Sequence, residues 1–242
     1  MTITSDVLRY DTQAMTEVKT AKQRKPTQPK GARPATVAPK PTRRERAQAT
    51  RRRIMRAAYE RFCDQGYAGA TMADVAATAG VAVQTVYFTF HTKAELLAGA
   101  YDFAVLGEDD PKPPPLQRWY SAAAAAPDAH AALRLLAGGT AAIIVRAAPL
   151  ETVVRATAAS DPEAAAVWDR HERLRADGYR GMVELLASKA PLAHGLTIGR
   201  ATDLFLLYLG PLPYRGLVVD HGWTVADWLD WTIGALDREL FG

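Results

Sequence analysis

From about residue 42 onward, apolar residues recur at intervals of three and four positions, which is the spacing of amphipathic helices. Ala, Leu and Val dominate the apolar fraction of 48%, and Ala and Leu favour helices over sheets. No convincing run of alternating strand residues interrupts the pattern, so we predict an all-α fold. The predicted helices span about residues 43–65, 72–79, 83–89, 93–106, 116–125, 128–147, 149–159, 161–189, 198–209 and 225–240.

Residues 1–41 form a segment without this pattern. They are polar and contain five prolines between positions 26 and 41. Such a segment buries too little apolar surface to offset its chain entropy, so we expect it to be disordered. Residues 1–53 hold 14 Lys/Arg against 4 Asp/Glu, whereas residues 54–242 hold 16 against 22. Two interpretations stay open: a solvated tail without a role, and a basic arm that adds phosphate contacts.

Five helix starts carry the spacing of a capping box, in which a Ser or Thr caps the helix and an acidic residue three positions later reaches back. The five pairs are Thr42/Glu45, Thr71/Asp74, Thr92/Glu95, Ser160/Glu163 and Thr224/Asp227. Each pair precedes a helical apolar pattern, which predicts where these helices begin. The Pro-rich segment 108–115 breaks the pattern, and we place a domain junction near it.

The two short helices at 72–79 and 83–89 are the most informative part of the chain. Neither is long enough to be stable alone, so they must share a core, for which Val75, Val81 and Val86 are suited. The second helix then directs polar and aromatic side chains outward, as a helix presented to a DNA groove does. These predicted base-contacting residues are Val83, Gln84, Thr85, Tyr87 and Phe88.

Phosphate contacts are predicted around this helix pair. Thr71, Thr92 and Lys93 lie at helix starts, where hydroxyls, an ammonium group and free backbone amides can meet phosphate oxygens. Arg43, Arg44 and Arg53 on the first helix are further candidates. Any three-helix bundle contains small helices, so an ordinary structural role for the pair stays open at this point.

The run from Arg52 to Leu97 resembles the N-terminal domain of the tetracycline-repressor (TetR) family of bacterial regulators. The matching residues are Ile54, Ala57, Ala58, Phe62, Gly66, Tyr67, Thr71, Asp74, Val75, Ala76, Ala79, Gly80, Val81, Thr85, Val86, Tyr87, Phe90, Lys93, Leu96 and Leu97. The resemblance implies an all-α homodimer whose subunits have a three-helix helix-turn-helix head and a helical body that binds a small ligand and dimerises. We therefore predict a disordered basic arm over 1–41, a DNA-binding domain over 42–91 and a ligand-binding and dimerisation domain over 92–242.

The sequence departs from the family pattern at two positions. The family usually has Ser where this chain has Ala82, so we expect the recognition helix to lack a side-chain cap, which typically costs about 1 kcal/mol. Many members have Gly where Gln84 stands, and a glutamine there can pair with adenine.

In the body, one face of the helix at 161–189 carries apolar residues at both ends and a His and an Arg in its middle. These residues are Trp168, His171, Arg175, Tyr179 and Met182. One interpretation is a core-facing stripe in which Arg175 pairs with an internal carboxylate. The other is the wall of an effector pocket for an aromatic or anionic ligand, to which Trp119 would contribute.

The last two predicted helices are dense in aromatic and aliphatic residues, including Phe205, Tyr208, Trp228 and Trp231. This composition fits a homodimer interface, although a monomer core that closes on itself is the alternative. A dimer also suits DNA recognition, because two recognition helices can contact two half-sites one helical turn apart.

Other functional classes lack their signatures. The five histidines are scattered, no nucleotide-binding or hydrolase motif is present, and Cys63 is the single cysteine, so we predict no enzyme activity, metal or cofactor. No secretory signal or run of about 18 apolar residues is apparent, which predicts a cytoplasmic protein that does not bind membrane. The prediction is a ligand-responsive transcriptional regulator, most simply a repressor that binds a palindromic double-stranded operator. The alternative is an architectural DNA-binding protein without an effector.

Overall fold

The computed structural model describes residues 42–107 and 111–242. Those residues contain ten α-helices and no strand, which confirms the predicted all-α fold. The helices are α1 (Arg43–Gly69), α2 (Met72–Ala79), α3 (Val83–Thr89), α4 (Lys93–Leu106), α5 (Arg118–Ala125), α6 (Ala129–Ala158), α7 (Pro162–Ala187), α8 (Ile198–Tyr208), α9 (Pro211–Tyr214) and α10 (Val225–Phe241). The predicted basic arm lies outside the described residues.

The head of the described chain consists of α1, α2 and α3. A full capping box at Thr42 and Glu45 starts α1, as predicted. Gly66 interrupts α1 with φ 70° and ψ 174°, close to the predicted end of that helix, and one further turn reaches Gly69. The capping box of Thr71 and Asp74 starts α2, and both short helices have the predicted bounds.

The turn between α2 and α3 depends on Gly80. Its backbone has φ 63° and ψ 44°, a left-handed conformation that glycine adopts without strain, and its N–H donates to carbonyls at the end of α2. The turn lets Val75 and Val86 pack in one small core, where both are buried. This core fixes the angle at which α3 leaves the head.

A single hydrophobic cluster joins the head to the body. It contains Phe62 and Val86 of the head, Leu97 of α4, Leu150 of α6 and Val167 of α7. The predicted boundary between head and body, after residue 91, therefore falls within a continuous core, and α4 packs with both parts. The division of the chain into a DNA-binding domain and a ligand-binding domain stays a prediction.

Arg146 of α6 closes the C-terminal end of α4. Its Nε donates to the carbonyl of Ala104 at 3.2 Å and its Nη2 to the carbonyl of Val105 at 3.3 Å. The hydroxyl of Tyr59 on α1 donates to the backbone carbonyl of Arg146 at 2.8 Å. The last turn of a helix has carbonyls without helical partners and a partial negative charge, so a cation is favourable there. Arg146 thereby ties α1, α4 and α6 together.

The prediction of separate helices at 128–147 and 149–159 was wrong, because α6 continues for 30 residues through Pro149. Proline removes one helical N–H, but Ala148 and Leu150 on either side of it are buried. Tertiary packing of the two halves therefore outweighs the local cost of the proline.

Two further local predictions were wrong. The cap of α7 is Asp161 and not Ser160, since Asp161 Oδ1 accepts from the amides of Glu163 and Ala164. The Pro/Gly-rich stretch 210–222, for which the sequence predicts no helix, is helical in part, with α9 followed by a π-helical segment at Arg215–Asp220. At Thr92 and Thr224, the hydroxyls accept from the amides three positions later, as predicted.

The body has its own hydrophobic cluster, built from α5, α6, α7, α8 and α10. Leu136 of α6, Leu186 of α7, Phe205 of α8 and Trp228 of α10 are fully buried in it. By length and composition alone, α6 is apolar enough to cross a membrane, which was not predicted from the sequence. In the fold, α6 packs against α5, α7 and α10, so its apolar residues are those of a central core helix.

Candidate functional site

The exposed side of α3 is the first candidate site. Val86 points into the core and is fully buried, whereas Val83, Tyr87 and Phe88 are 40%, 50% and 85% exposed. Gln84 is also exposed and Thr85 is half-buried. The five predicted base-contacting residues thus form one outward surface, which we call the recognition face. Exposed apolar side chains grouped on one face, as Val83, Tyr87 and Phe88 are, are typical of a surface that contacts another molecule.

Different groups hold the two ends of α3. Ala82 at its start makes no side-chain cap, as the sequence predicts. At its end, Arg51 of α1 donates from Nη1 to the carbonyl of Thr89 at 3.2 Å. The Arg51 guanidinium also lies 4.2 Å from the ring centroid of Phe90. Because a cation is favourable at a helix C-terminus, Arg51 stabilises α3 at the end opposite to its missing cap.

The predicted phosphate-contacting residues surround the recognition face. Thr71 and Thr92 lie at the starts of α2 and α4, where their hydroxyl oxygens accept hydrogen bonds from the backbone amides three positions later. Arg43, Arg44 and Arg53 are exposed along α1.

Lys93 is the exception among these residues. Its Nζ donates to the carbonyl of Ala68 at 3.4 Å and lies 4.6 Å from the ring centroid of Tyr67. Burial lowers its pKa, although nearby Asp161 opposes this shift. A phosphate contact would require the side chain to leave Tyr67, so the clamp role of Lys93 stays a prediction.

The predicted effector stripe on α7 is divided among three surroundings. Trp168 packs against the cluster that joins head and body. Tyr179 and Met182 are buried in the body cluster, where Tyr179 donates its hydroxyl hydrogen to the carbonyl of Leu209. Trp119 of α5 lies directly on the backbone of α6 at Gly139, which leaves no room there for a Cβ atom.

His171 and Arg175 lie in a polar cluster at the junction of α4, α6 and α7. Its members are Tyr101, Asp102, Glu151, Arg170, His171, Glu172 and Arg175. Arg175 Nη2 donates to Glu172 Oε2 at 2.7 Å, and Arg175 Nη1 is 3.7 Å from Glu151 Oε2. The Tyr101 hydroxyl donates to Glu151 Oε2 at 3.3 Å. The pairing of Arg175 with a buried carboxylate is the arrangement that the core interpretation predicts.

A second set of contacts in the polar cluster joins α4 to α7. Arg170 Nη1 donates to Asp102 Oδ1 at 3.0 Å, and His171 Nε2 lies 3.6 Å from the same oxygen. The ring of His171 also packs on the ring of Tyr101, with 3.9 Å between their centroids. Tyr101 and Asp102 lie on α4, the helix that directly follows the recognition face, so these contacts join α7 to the helix next to α3.

Burial controls the protonation of the polar cluster. Burial and the nearby Glu172 raise the pKa of Glu151 to about 7, against the opposing charge of Arg175. Burial and the nearby Arg170 lower the pKa of His171 to about 4, although Asp102 opposes this. Nε and Nη1 of Arg175 are buried without a hydrogen-bond acceptor among the described residues. Arg175 can therefore still donate a hydrogen bond to an oxygen atom of a ligand or of water.

Three residues with clear roles were missed or undervalued by sequence reasoning. Arg51 and Arg146 close the C-terminal ends of α3 and α4, and Glu151 is the buried partner of Arg175. Each acts on a helix distant in sequence, so no local spacing could identify it. The one available signal was Glu151 itself, a carboxylate in an otherwise apolar run of α6.

The fold and the recognition face define a helix-turn-helix DNA-binding protein. A family model described as "Bacterial regulatory proteins, tetR family" matches residues 54–100. TtgR, an HTH-type transcriptional regulator of Pseudomonas putida, is 42% identical over 59 residues, which are 24% of this chain and 28% of TtgR. Residues 54–100 are thus similar in sequence to the tetR family, and the match with this curated relative covers little more than a quarter of the relative's length.

Solved structures extend the similarity to the body, at the level of fold alone. NalD, the secondary repressor of the MexAB-OprM multidrug efflux pump in Pseudomonas aeruginosa, has a TM-score of 0.60 at 17% identity, covering 81% of this chain and 98% of NalD. FadR of Bacillus subtilis, solved with stearoyl-CoA, has a TM-score of 0.60 at 16% identity, covering 76% of this chain and 96% of FadR. The predicted combination of head and helical body is thereby confirmed.

Proposed function

We propose that this protein is a ligand-responsive transcriptional repressor that binds a palindromic operator as a homodimer in the cytoplasm. The observation that carries the proposal is the recognition face, whose Phe88 is 85% exposed although the helix beneath it is locked by the buried Val86. Gln84 offers a bidentate pair to adenine, while Val83 and Phe88 offer apolar contacts to thymine methyl groups. The sequence match to the tetR family covers this same segment.

A dimer would place two recognition faces on successive half-sites of the operator. Leu207 of α8 is 62% exposed. Trp231 of α10 is 40% exposed, and its ring centroid lies 5.8 Å from that of Tyr208 on α8. Trp223 adds a further exposed ring, 6.3 Å from Trp231. This apolar surface on the last two long helices supports dimerisation, since aromatic residues are enriched in such interfaces.

The polar cluster is our candidate for the effector response. An effector with a carboxylate or carbonyl oxygen would give the buried nitrogens of Arg175 the acceptor that they lack. Its binding would compete for Arg175 with Glu151 and Glu172 and so change the contacts of α7 with α4. The distance between the two recognition faces would then change. Operator affinity falls only as far as the effector prefers the state that does not bind DNA. Structural neighbours of this fold include a repressor of an efflux pump and a regulator that binds an acyl-CoA.

Selection of binding sites from random duplex DNA, followed by fluorescence anisotropy, tests DNA recognition. We expect a palindrome bound at least ~1,000-fold more tightly than scrambled DNA, which is the lower bound for specific proteins. Phe88→Ala should weaken specific binding, whereas Leu116→Ala, another exposed apolar position outside the head, should not. Equal affinity for selected and scrambled DNA would contradict the repressor proposal and would favour an architectural protein.

Thermal-shift screening of small aromatic and anionic compounds tests the effector site. A true effector should raise the melting temperature of the wild-type protein and weaken its operator binding. Arg175→Ala should abolish both responses, because the buried guanidinium is the group that receives the ligand. A compound that stabilises both proteins equally would remove Arg175 from the effector site.

A further inference from the structure

A groove of about 310 Å³ lies between α1 and α4 and shares only Asp102 with the polar cluster, as far as the described residues show. Arg51, Arg52 and Met55 line it from α1, Phe103 and Leu106 line it from α4, and Pro111 lies at its rim. Gly99 of α4 also lines the groove, and it has no side chain to fill it. A Cβ atom at this position would lie 2.6 Å from a ring carbon of Phe90, so α4 can pack this closely on the end of α3 only with glycine here.

The groove combines apolar walls with positive charge. Among the described residues that line it, Asp102 is the one acid, and it already pairs with Arg170 at 3.0 Å and faces His171 at 3.6 Å. Arg51 donates to the carbonyl of Thr89, which leaves its positive charge uncompensated. Arg52 is exposed and makes no hydrogen bond or ion pair within the part of the chain that the structure describes. The charge that the described lining residues offer a ligand is therefore positive, and the surface behind it is apolar.

These features specify the ligand class. A volume of about 310 Å³ is near the lower end of the range for small-molecule sites, which suits one or two rings. A planar guanidinium is the preferred partner of a carboxylate and also stacks on aromatic rings. We propose that the groove between α1 and α4 binds a small aromatic carboxylate, with its ring on Met55, Phe103 and Leu106 and its carboxylate at Arg52 and Arg51.

The groove is connected directly to the DNA-contacting helix. Arg51 lines the groove and also holds the C-terminal carbonyl of α3 at Thr89. A carboxylate that draws the Arg51 guanidinium towards the groove weakens this contact and loosens the end of α3. Ligand binding in the groove therefore lowers operator affinity by a route that does not depend on Arg175 or Glu151.

Isothermal titration calorimetry without DNA tests the site directly. The probe is 2-naphthoate, and 2-naphthamide is its neutral counterpart. We expect naphthoate to bind, and Arg52→Gln to weaken binding about tenfold, which corresponds to the loss of one charge-assisted hydrogen bond. Arg46→Gln, six positions earlier on α1 and outside the groove, should leave the affinity unchanged. Equal binding of naphthoate and naphthamide, or equal affinity in Arg52→Gln and wild type, overturns the proposal.

A filling variant locates the ligand independently of charge. Pro111→Trp places a large ring at the rim of the groove and should reduce naphthoate binding without lowering the melting temperature, since Pro111 is exposed. A folded Pro111→Trp protein with unchanged affinity would place the ligand elsewhere. Two variants distinguish the groove from the body effector site: Arg52→Gln should weaken binding in the groove alone, and Arg175→Ala should abolish the effector response in the body alone. Failure of the groove proposal thus leaves the proposed repressor function untouched.

Discussion

Glu151 is a buried carboxyl whose ionisation should limit the stability of the fold. It is 5% exposed, and its neighbours are Tyr101, Arg175 and Glu172. Burial raises its pKa from 4.5 to about 7, so the folded protein favours the neutral acid more than the unfolded chain does. The stability gained from this preference is fully present below pH 4.5 and is lost as the pH rises to about 7.

The size of the effect follows from the two pKa values. The difference between 4.5 and about 7, at 1.36 kcal/mol for each pH unit, is about 3 kcal/mol. Glu151→Gln keeps the shape of the neutral acid and cannot ionise. At pH 5 the variant should therefore match the wild-type protein within about 1 kcal/mol, and at pH 8 it should be more stable by up to about 3 kcal/mol.

Urea denaturation followed by circular dichroism measures this difference between pH 5 and pH 8. Both proteins must be compared at one concentration, since the stability of a dimer depends on concentration. Glu60→Gln, at an exposed position on α1, controls for the loss of one carboxylate. If the stability difference between Glu151→Gln and wild type is the same at pH 5 and pH 8, the buried carboxyl does not titrate as the structure indicates.

Three other predictions concern the recognition helix and the dimer. Ala82→Ser supplies the missing cap and should stabilise the protein by about 1 kcal/mol, visible as a higher melting temperature; an unchanged value would mean that water caps α3 equally well. Gln84→Ala should change the preferred operator sequence, whereas Lys93→Ala should weaken binding to all sequences; equal losses of Gln84→Ala on selected and scrambled DNA would exclude base recognition by Gln84. Leu207→Arg should shift the mass measured by light scattering from dimer to monomer, while Leu116→Arg should not; a Leu207→Arg dimer would move the interface away from α8.

The DNA-binding head could be predicted in detail from the sequence because its determinants are local. The capping box at Thr71, the left-handed turn at Gly80 and the apolar spacing of Val75 and Val86 act within 16 positions. From these signals the bounds of α2 and α3 could be predicted correctly. They also predict which side chains of α3 point outward and form the recognition face. The missing cap at Ala82 was equally visible, since the capping residue precedes its own helix.

The body was predicted less completely because distant contacts decide it. Pro149 predicts a helix end, yet α6 continues because both flanking turns are buried against other helices. The stripe on α7 could be identified from the spacing of its residues. The carboxylate that pairs with Arg175 could not, because Glu151 is 24 positions away, on α6.

The sequence by itself determined the helical class, the helix starts and the orientation of the recognition helix, because propensity, capping and periodicity act between residues a few positions apart. Only the tertiary structure decided what holds those helices to each other. Arg51 reaches the end of α3, Arg146 reaches the end of α4, and Glu151 lies between Tyr101 and Arg175. Such contacts depend on which helices pack side by side, and burial then sets the charge of the groups that meet there.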